Sequence, residues 1–172
     1  MYVSALQEPR LLKHEDERAR FQSGNAEIDD WFHRFAWQNH RARNARVFVT
    51  TQEPETLGFY ALAMGAVSRS DLPEALKPGR RPDPCPVLIL ARLAVDQRAQ
   101  GRGIGAALLK DALLRAYNLS NEVGFAALLV HCANDQAREF YLSQSSQFVP
   151  CPGADNHLVL PLRALREFID AL

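Results

Sequence analysis

Residues 87–106 read VLILARLAVDQRAQGRGIGA. The first nine, Val87–Val95, are apolar apart from Arg92, which is the pattern of a strand covered on both faces at the centre of a sheet. The last seven hold Gly101, Gly103 and Gly105 and lead into Ile104, Ala107 and Leu108, the start of an apolar helical repeat. A strand, a glycine turn and a helix start together make a cradle for a diphosphate. Glycine lets the backbone approach an anion closely. The unpaired N–H groups of the first helical turn then point at it, with the helix dipole assisting. A dinucleotide fingerprint G-x-G-x-x-G is excluded by the spacing. The absence of G-K-[ST] excludes a Walker loop.

Before this stretch, the spacing predicts a strand at 9–14 and one amphipathic helix from Asn25 to Arg41, built on Ile28, Trp31, Phe32, Phe35 and Ala36, with Asn25 or Ser23 as cap. Arg46–Thr51 and Thr56–Val67 read as a hairpin. Ser68–Pro86 carries five of the ten prolines and reads as a loop or short helical turns inside one domain. Gly103 to about Glu122 is a helix, Phe125–Cys132 a buried strand, and Asp135–Gln144 a helix capped by Asn134. Phe148–Val149 and His157–Leu162 are closing strands, and Arg163–Leu172 a terminal helix. The expected order is β-α-β-β-β-α-β-α-β: an α+β fold with a mixed, mostly antiparallel twisted sheet flanked by helices.

At 172 residues the chain is expected to be a single domain, 1–172, able to bury roughly 70% of its unfolded surface without disulfides or metal. Twenty Lys and Arg balance twenty Asp and Glu, which excludes a globally basic nucleic-acid binder but leaves room for a basic face. Cys85, Cys132 and Cys151 are odd in number and show no C-x-x-C, so neither a disulfide framework nor a zinc site is expected. No apolar run reaches the ~20 residues of a membrane span. The first twenty residues lack the layout of a secretory leader, so a cytoplasmic location is expected.

The segment Gln100-x-x-Gly103-x-Gly105, following LARLAVD, resembles the Q/R-x-x-G-x-G/A signature of the GNAT acetyltransferase superfamily. Asn134-x-x-Ala137-x-x-Phe140-Tyr141 resembles that family's N-x-x-A-x-x-F-Y helix. The resemblance implies acetyl-CoA as co-substrate, in a splay after the central strand, and no metal. Amides of Arg102, Gly103, Gly105 and Ala106 are implied to hold the pyrophosphate, within the loop Gln100–Gly101–Arg102. Leu93 and Val95 are implied to meet the pantetheine through their main chains. Gln97 and Arg98 stand at the loop entrance. Asn134 is implied to bind the cofactor, and Tyr141 to stand near its sulfur as general acid. One departure is visible: the family continues F-Y-x-x-x-G-F, whereas Tyr141 is followed by LSQSSQ before Phe148.

The N-terminal third is similar to the GNAT-type toxins of bacterial toxin–antitoxin pairs. The matching residues are Phe21-x-Ser23-Gly24, Ile28-Asp29-x-Trp31, Asn39, Arg46-Val-Phe48-Val49 and Gly58-Phe59-Tyr60-x-Leu62. That similarity implies N-acetylation of aminoacyl-tRNA, a ribbon-helix-helix antitoxin as partner, and a homodimer. The charges fit: residues 31–52 carry +4 through Arg34, Arg41, Arg43 and Arg46, residues 77–110 carry +5 including Arg92, and residues 1–30 carry −3. These five arginines are the expected tRNA contacts.

Acidities point the same way. A lysine amine, with pKa ~10.4, needs a base before it can attack a thioester, while an α-amino group sits near ~8. Val87–Val95 offers no acid to serve as that base, which favours an aminoacyl amine. His131 and His157 are alternative proton relays. The rival readings are acetylation of another amine, such as a metabolite or a protein N-terminus, and a non-catalytic CoA-binding module.

Overall fold

The computed structural model describes residues 4–77, 79 and 81–172. Pro78 of the proline-rich segment and Arg80 of the second basic stretch lie outside the described residues. The elements are β1 (Arg10–Leu11), α1 (Ala26–Arg34), α2 (Ala36–Ala42), β2 (Arg46–Gln52), β3 (Glu55–Val67), β4 (Cys85–Val95), α3 (Ile104–Leu119), β5 (Ala127–His131), α4 (Asp135–Gln144), β6 (Val149–Cys151), β7 (Ala154–Pro161) and α5 (Leu162–Asp170). Among the described residues, seven strands follow one another in the order β1-β2-β3-β4-β5-β7-β6. The β1–β2, β2–β3, β5–β7 and β6–β7 pairs are antiparallel, and β4–β5 is parallel. The expected α+β class and mostly antiparallel sheet are both present.

Residues cluster into two compact units, each assembled from separated stretches of chain. The first comprises the described part of Met1–Leu62 together with Arg92–Asp111. Its core is aromatic: Phe21, Phe32 and Phe59 are buried with Val47, Val49, Ala36, Ala61 and Ala94, and Ile28, Trp31 and Trp37 pack against them. Phe32 and Phe59 stack at 4.1 Å. The second comprises the described part of Ala63–Ala91 together with Ala112–Leu172. Its core is aliphatic: Leu72, Leu76, Cys85, Val87, Leu129 and Val159 are buried together. Within the described part of the proline-rich segment, Leu72 and Leu76, at the two short turns Arg69–Asp71 and Glu74–Leu76, are buried in that core.

Two expectations need correction. The strand expected at 9–14 is only Arg10–Leu11. The single helix expected from Asn25 to Arg41 is two helices. Asn25 caps the first, its side chain accepting from the Ile28 N–H at 3.1 Å. Phe35 then leaves helical geometry (φ −120°, ψ −17°) and separates α1 from α2. No proline or glycine marks the break. The Phe35 carbonyl accepts both the backbone N–H (3.0 Å) and the side-chain amide (2.9 Å) of Asn39, so the residue at the break is held by the first turn of α2.

Candidate active site and its supporting loop

In the first unit, β4 ends at Val95 and the chain turns through Gln97–Ala99 before the glycine loop. Asp96 organises this turn. Its buried carboxylate accepts from the backbone N–H of Gln22 (3.0 Å) and of Arg98 (2.8 Å), and from the Arg98 side chain through Nε (2.8 Å) and Nη2 (3.0 Å). Burial alone would raise the Asp96 pKa. The hydrogen bonds from Arg98 and Gln22 outweigh it and hold the carboxyl below its ordinary value. Arg98 also pairs with Glu55 at 2.8 Å. Its guanidinium is thus committed to two carboxylates and serves as a structural tie at the loop entrance.

Gln100 has a comparable duty. Its Nε2 donates to the carbonyls of Ser23 (2.9 Å) and Val95 (3.0 Å), which clamps the loop between the end of β4 and the segment before α1. Ser23 is in turn held by Asp29, to which it donates through its N–H (2.9 Å) and its hydroxyl (2.6 Å). The Gln97 N–H donates to the Gln22 carbonyl at 2.8 Å. Gln22 and Ser23, the latter held by Asp29, therefore brace the loop through three hydrogen bonds. Ser23, Asp29, Gln22 and Asp96 were not singled out as site residues in the sequence. The Phe21-x-Ser23-Gly24 motif was the available signal, but its long-range partners cannot be read from spacing.

The brace leaves the loop itself open. Gly101 and Gly103 sit at φ +81° and +78°, where a side chain is strained, and a Cβ at either position would meet nothing within 4 Å. The Gly103 carbonyl accepts the Ala107 N–H at 3.1 Å, so α3 begins here. The N–H groups of Ile104, Gly105 and Ala106 have no carbonyl behind them within the helix. Arg102 is exposed and reaches Gln52 only at 3.4 Å. An open surface of glycine and unpaired amides at the start of a sixteen-residue helix fits a pyrophosphate.

The arginines differ among themselves. Arg34 pairs with Asp30 at 3.3 Å on an exposed helix face. Arg41 and Arg43 are exposed, and Arg43 closes α2 in a left-handed conformation (φ 62°). Arg46 donates to the His40 carbonyl at 3.0 Å. Arg92 lies half-buried over the Trp31 ring, 4.2 Å from its centroid.

In the second unit, Asn134 caps α4 as expected, its side-chain oxygen accepting the Ala137 N–H at 2.8 Å. Tyr141 is buried on α4 between the rings of Phe140 (5.2 Å) and Phe148 (5.9 Å). Burial first, and Cys132 second, push its phenol above the ordinary value, so the hydroxyl stays protonated. Cys132 is itself raised by burial and remains a thiol. His131 and His157 face each other across β5 and β7 with rings stacked at 4.4 Å. Among the described residues, no three His, Cys, Asp or Glu side chains stand together as a metal site. No described helix is long and apolar enough to cross a membrane.

Comparison with known proteins adds five findings. An acetyltransferase (GNAT) domain matches residues 43–144. A tRNA-acetylating toxin of Mycobacterium tuberculosis is 38% identical over 167 residues, 97% of this chain and 99% of that protein. AtaT complexed with acetyl-methionyl-tRNAfMet matches with a TM-score of 0.85 at 26% identity, covering 96% of this chain and 99% of that one. AtaTR bound with AcCoA matches at 0.82 and 28%, covering 95% and 98%. A tyrosine-to-phenylalanine mutant of the AtaT toxin, bound to the C-terminus of the antitoxin AtaR, matches at 0.77 and 26%, covering 94% and 96%.

Proposed function

We propose, because the chain belongs to the GNAT acetyltransferase family, that it is a toxin enzyme moving the acetyl group of acetyl-CoA to the α-amino group of aminoacyl-tRNA, which blocks translation. The observation that carries the substrate reading is the 38% identity, across nearly the whole of both chains, to a tRNA-acetylating toxin. The open positive-φ glycines at the start of α3 support the co-substrate reading.

Acetyl-CoA supplies an acyl thioester. The residues are assigned as follows. Amides of Arg102, Gly103, Gly105 and Ala106 hold the pyrophosphate, and the main chains of Leu93 and Val95 hold the pantetheine. Gly101 provides the turn, while Gln100 acts by clamping the loop rather than by touching phosphate. Asn134 keeps its amide Nδ2 for the cofactor while its oxygen caps α4. Arg34, Arg41, Arg43, Arg46 and Arg92 form the basic contacts for tRNA.

Tyr141 donates a hydrogen bond to the sulfur as the C–S bond breaks and the N–C bond forms. A phenol above its usual ~10 transfers its proton outright to a thiolate of ordinary pKa ~8.5 only uphill. Tyr141 therefore stabilises developing charge first. It passes a proton to sulfur while taking the one that the new amide nitrogen releases. An antitoxin of ribbon-helix-helix type whose C-terminal segment covers this surface, a homodimeric state, a cytoplasmic location and a single domain over 1–172 belong to the same proposal.

The test is acetylation of charged tRNA beside lysine peptides and small amines. Tyr141→Phe should lose ~10²–10⁴ in rate while still binding acetyl-CoA. Near-wild-type turnover by the variant would remove Tyr141 as the donor. Full activity on peptides with none on charged tRNA would overturn the substrate.

A further inference from the structure

One cation on the central strand is partly buried and has no anion committed to it. Arg92 precedes Leu93 in β4, and its guanidinium sits over Trp31. Alternation along the strand puts Arg92 on the same face as Ala94, and Ala94 lies in the apolar cluster against which Trp31 packs. Trp31 is also stacked on Phe59 at 6.1 Å and 16°, so the surface under the guanidinium is fixed. Burial disfavours the charge on Arg92, and only a through-space contribution from Glu27 opposes it. Among the described residues, the Arg92 guanidinium makes no hydrogen bond or ion pair. Arg98, six residues on, shows the alternative: it is held by Asp96 and Glu55.

A desolvated guanidinium held flat by an aromatic ring is a preorganised fork of N–H donors. Its geometry matches the paired oxygens of a phosphodiester, and the cost of ordering it is already met by packing. In a charged tRNA the reacting amine hangs on the terminal ribose. The first anion along the chain from that ribose is the phosphodiester on its 5′ side. A residue beside the acetyl-transfer strand that seeks an anion therefore meets this group first.

We propose that Arg92, steadied by Trp31, binds the phosphodiester adjoining the 3′-terminal nucleotide of the tRNA. This rests on charged tRNA being the substrate.

The experiment measures binding of deacylated tRNA against salt, with acetyl-CoA affinity by calorimetry as the control for folding. Arg92→Gln should weaken tRNA binding roughly 10- to 100-fold. It should also flatten the slope of log K against log salt by about 0.7–0.9, the value of one phosphate contact. Arg92→Lys should keep the slope while losing part of the affinity, because the fork is gone and the charge is not. A second arm changes the RNA instead of the protein: a neutral methylphosphonate at the terminal phosphodiester should weaken binding to the wild-type enzyme and cause no further loss with Arg92→Gln. This arm stands even where a variant folds poorly. Unchanged affinity for the methylphosphonate RNA, or weaker binding by Arg92→Gln with an unchanged salt slope, would overturn the proposal. A wild-type enzyme that acetylates no charged tRNA would defeat the substrate reading instead, and the two failures are told apart by that single assay.

Discussion

The turn after β4 and the arginine-rich stretch around α2 use charge in opposite ways. In the turn, Asp96, Arg98, Glu55 and Gln100 all have partners at 3.0 Å or less, and the result is a loop held in one conformation. Around α2, Arg41 and Arg43 stand exposed, and Arg34 has a long, exposed pair with Asp30 and lies 5.1 Å over the Phe35 ring. A small ligand with fixed phosphate geometry is served by the first arrangement, because preorganised donors lose little entropy on binding. A long polyanion is served by the second, where mobile cations follow a backbone and release counterions. A plain count of arginines along the sequence treats the two regions alike.

The sharpest way to break the contrast is at the open face of the loop. Gly103→Glu should lower acetyl-CoA affinity at least ~100-fold by calorimetry, since it adds strain at φ +78° and a carboxylate where the pyrophosphate is proposed to lie. Gly103→Ala separates the two causes. It carries the strain of about 1 kcal/mol without the charge and should keep measurable binding. Equal affinity for Gly103→Glu and wild type would mean that this loop is not the phosphate site.

A smaller effect is expected one step back, in the brace. Asp96→Asn turns a carboxylate acceptor into an amide whose donors face the Arg98 guanidinium and the Gln22 N–H. Urea unfolding should show a loss of about 2–4 kcal/mol. The Michaelis constant for acetyl-CoA should rise more than that for charged tRNA. Arg98→Ala should cost less, because its side chain is 39% exposed and water replaces its partners. A neutral Asp96→Asn would show that the backbone alone holds the loop.

The β4–glycine–α3 sequence and the Asn134 cap were legible in the sequence because their signals are local: apolar runs, glycines at a helix start, an Asn before Asp135. The break at Phe35 was not, because the apolar spacing runs on through it and no proline or glycine marks it. The roles of Asp96 and Gln100 depend on Gln22 and Ser23, more than seventy residues earlier in the chain. In the sequence Arg92 is one more positive charge; Trp31, sixty-one positions earlier, is what sets it apart in the fold.

The smallest expected effect tests the arginine-rich region from inside. His40 of α2 is buried, and its Nδ1 accepts the Val47 N–H at 3.0 Å, while its ring also bonds to the Leu12 backbone. Burial lowers its pKa, and Arg46 and Arg43 lower it further, against a smaller opposing contribution from the Leu12 contact. The folded state therefore binds this proton less readily than the unfolded chain does. The stability that His40 contributes is complete above its unfolded pKa of ~6.5 and falls as pH drops from there through the lower folded value, with a slope of at most ~1.4 kcal/mol per pH unit. The carboxyls of Asp16 and Asp96, both held below 3.8 in the folded state, act only at more acid pH and do not overlap this window. Unfolding free energies of the wild type between pH 7.5 and 5 should thus decline, and His40→Gln, whose side-chain oxygen can accept from Val47 without titrating, should flatten the decline. Raising salt should shrink the wild-type slope by screening Arg43 and Arg46. An acid limb of equal steepness in His40→Gln would assign the titration to another group and would leave the arginines around α2 without influence on their own helix.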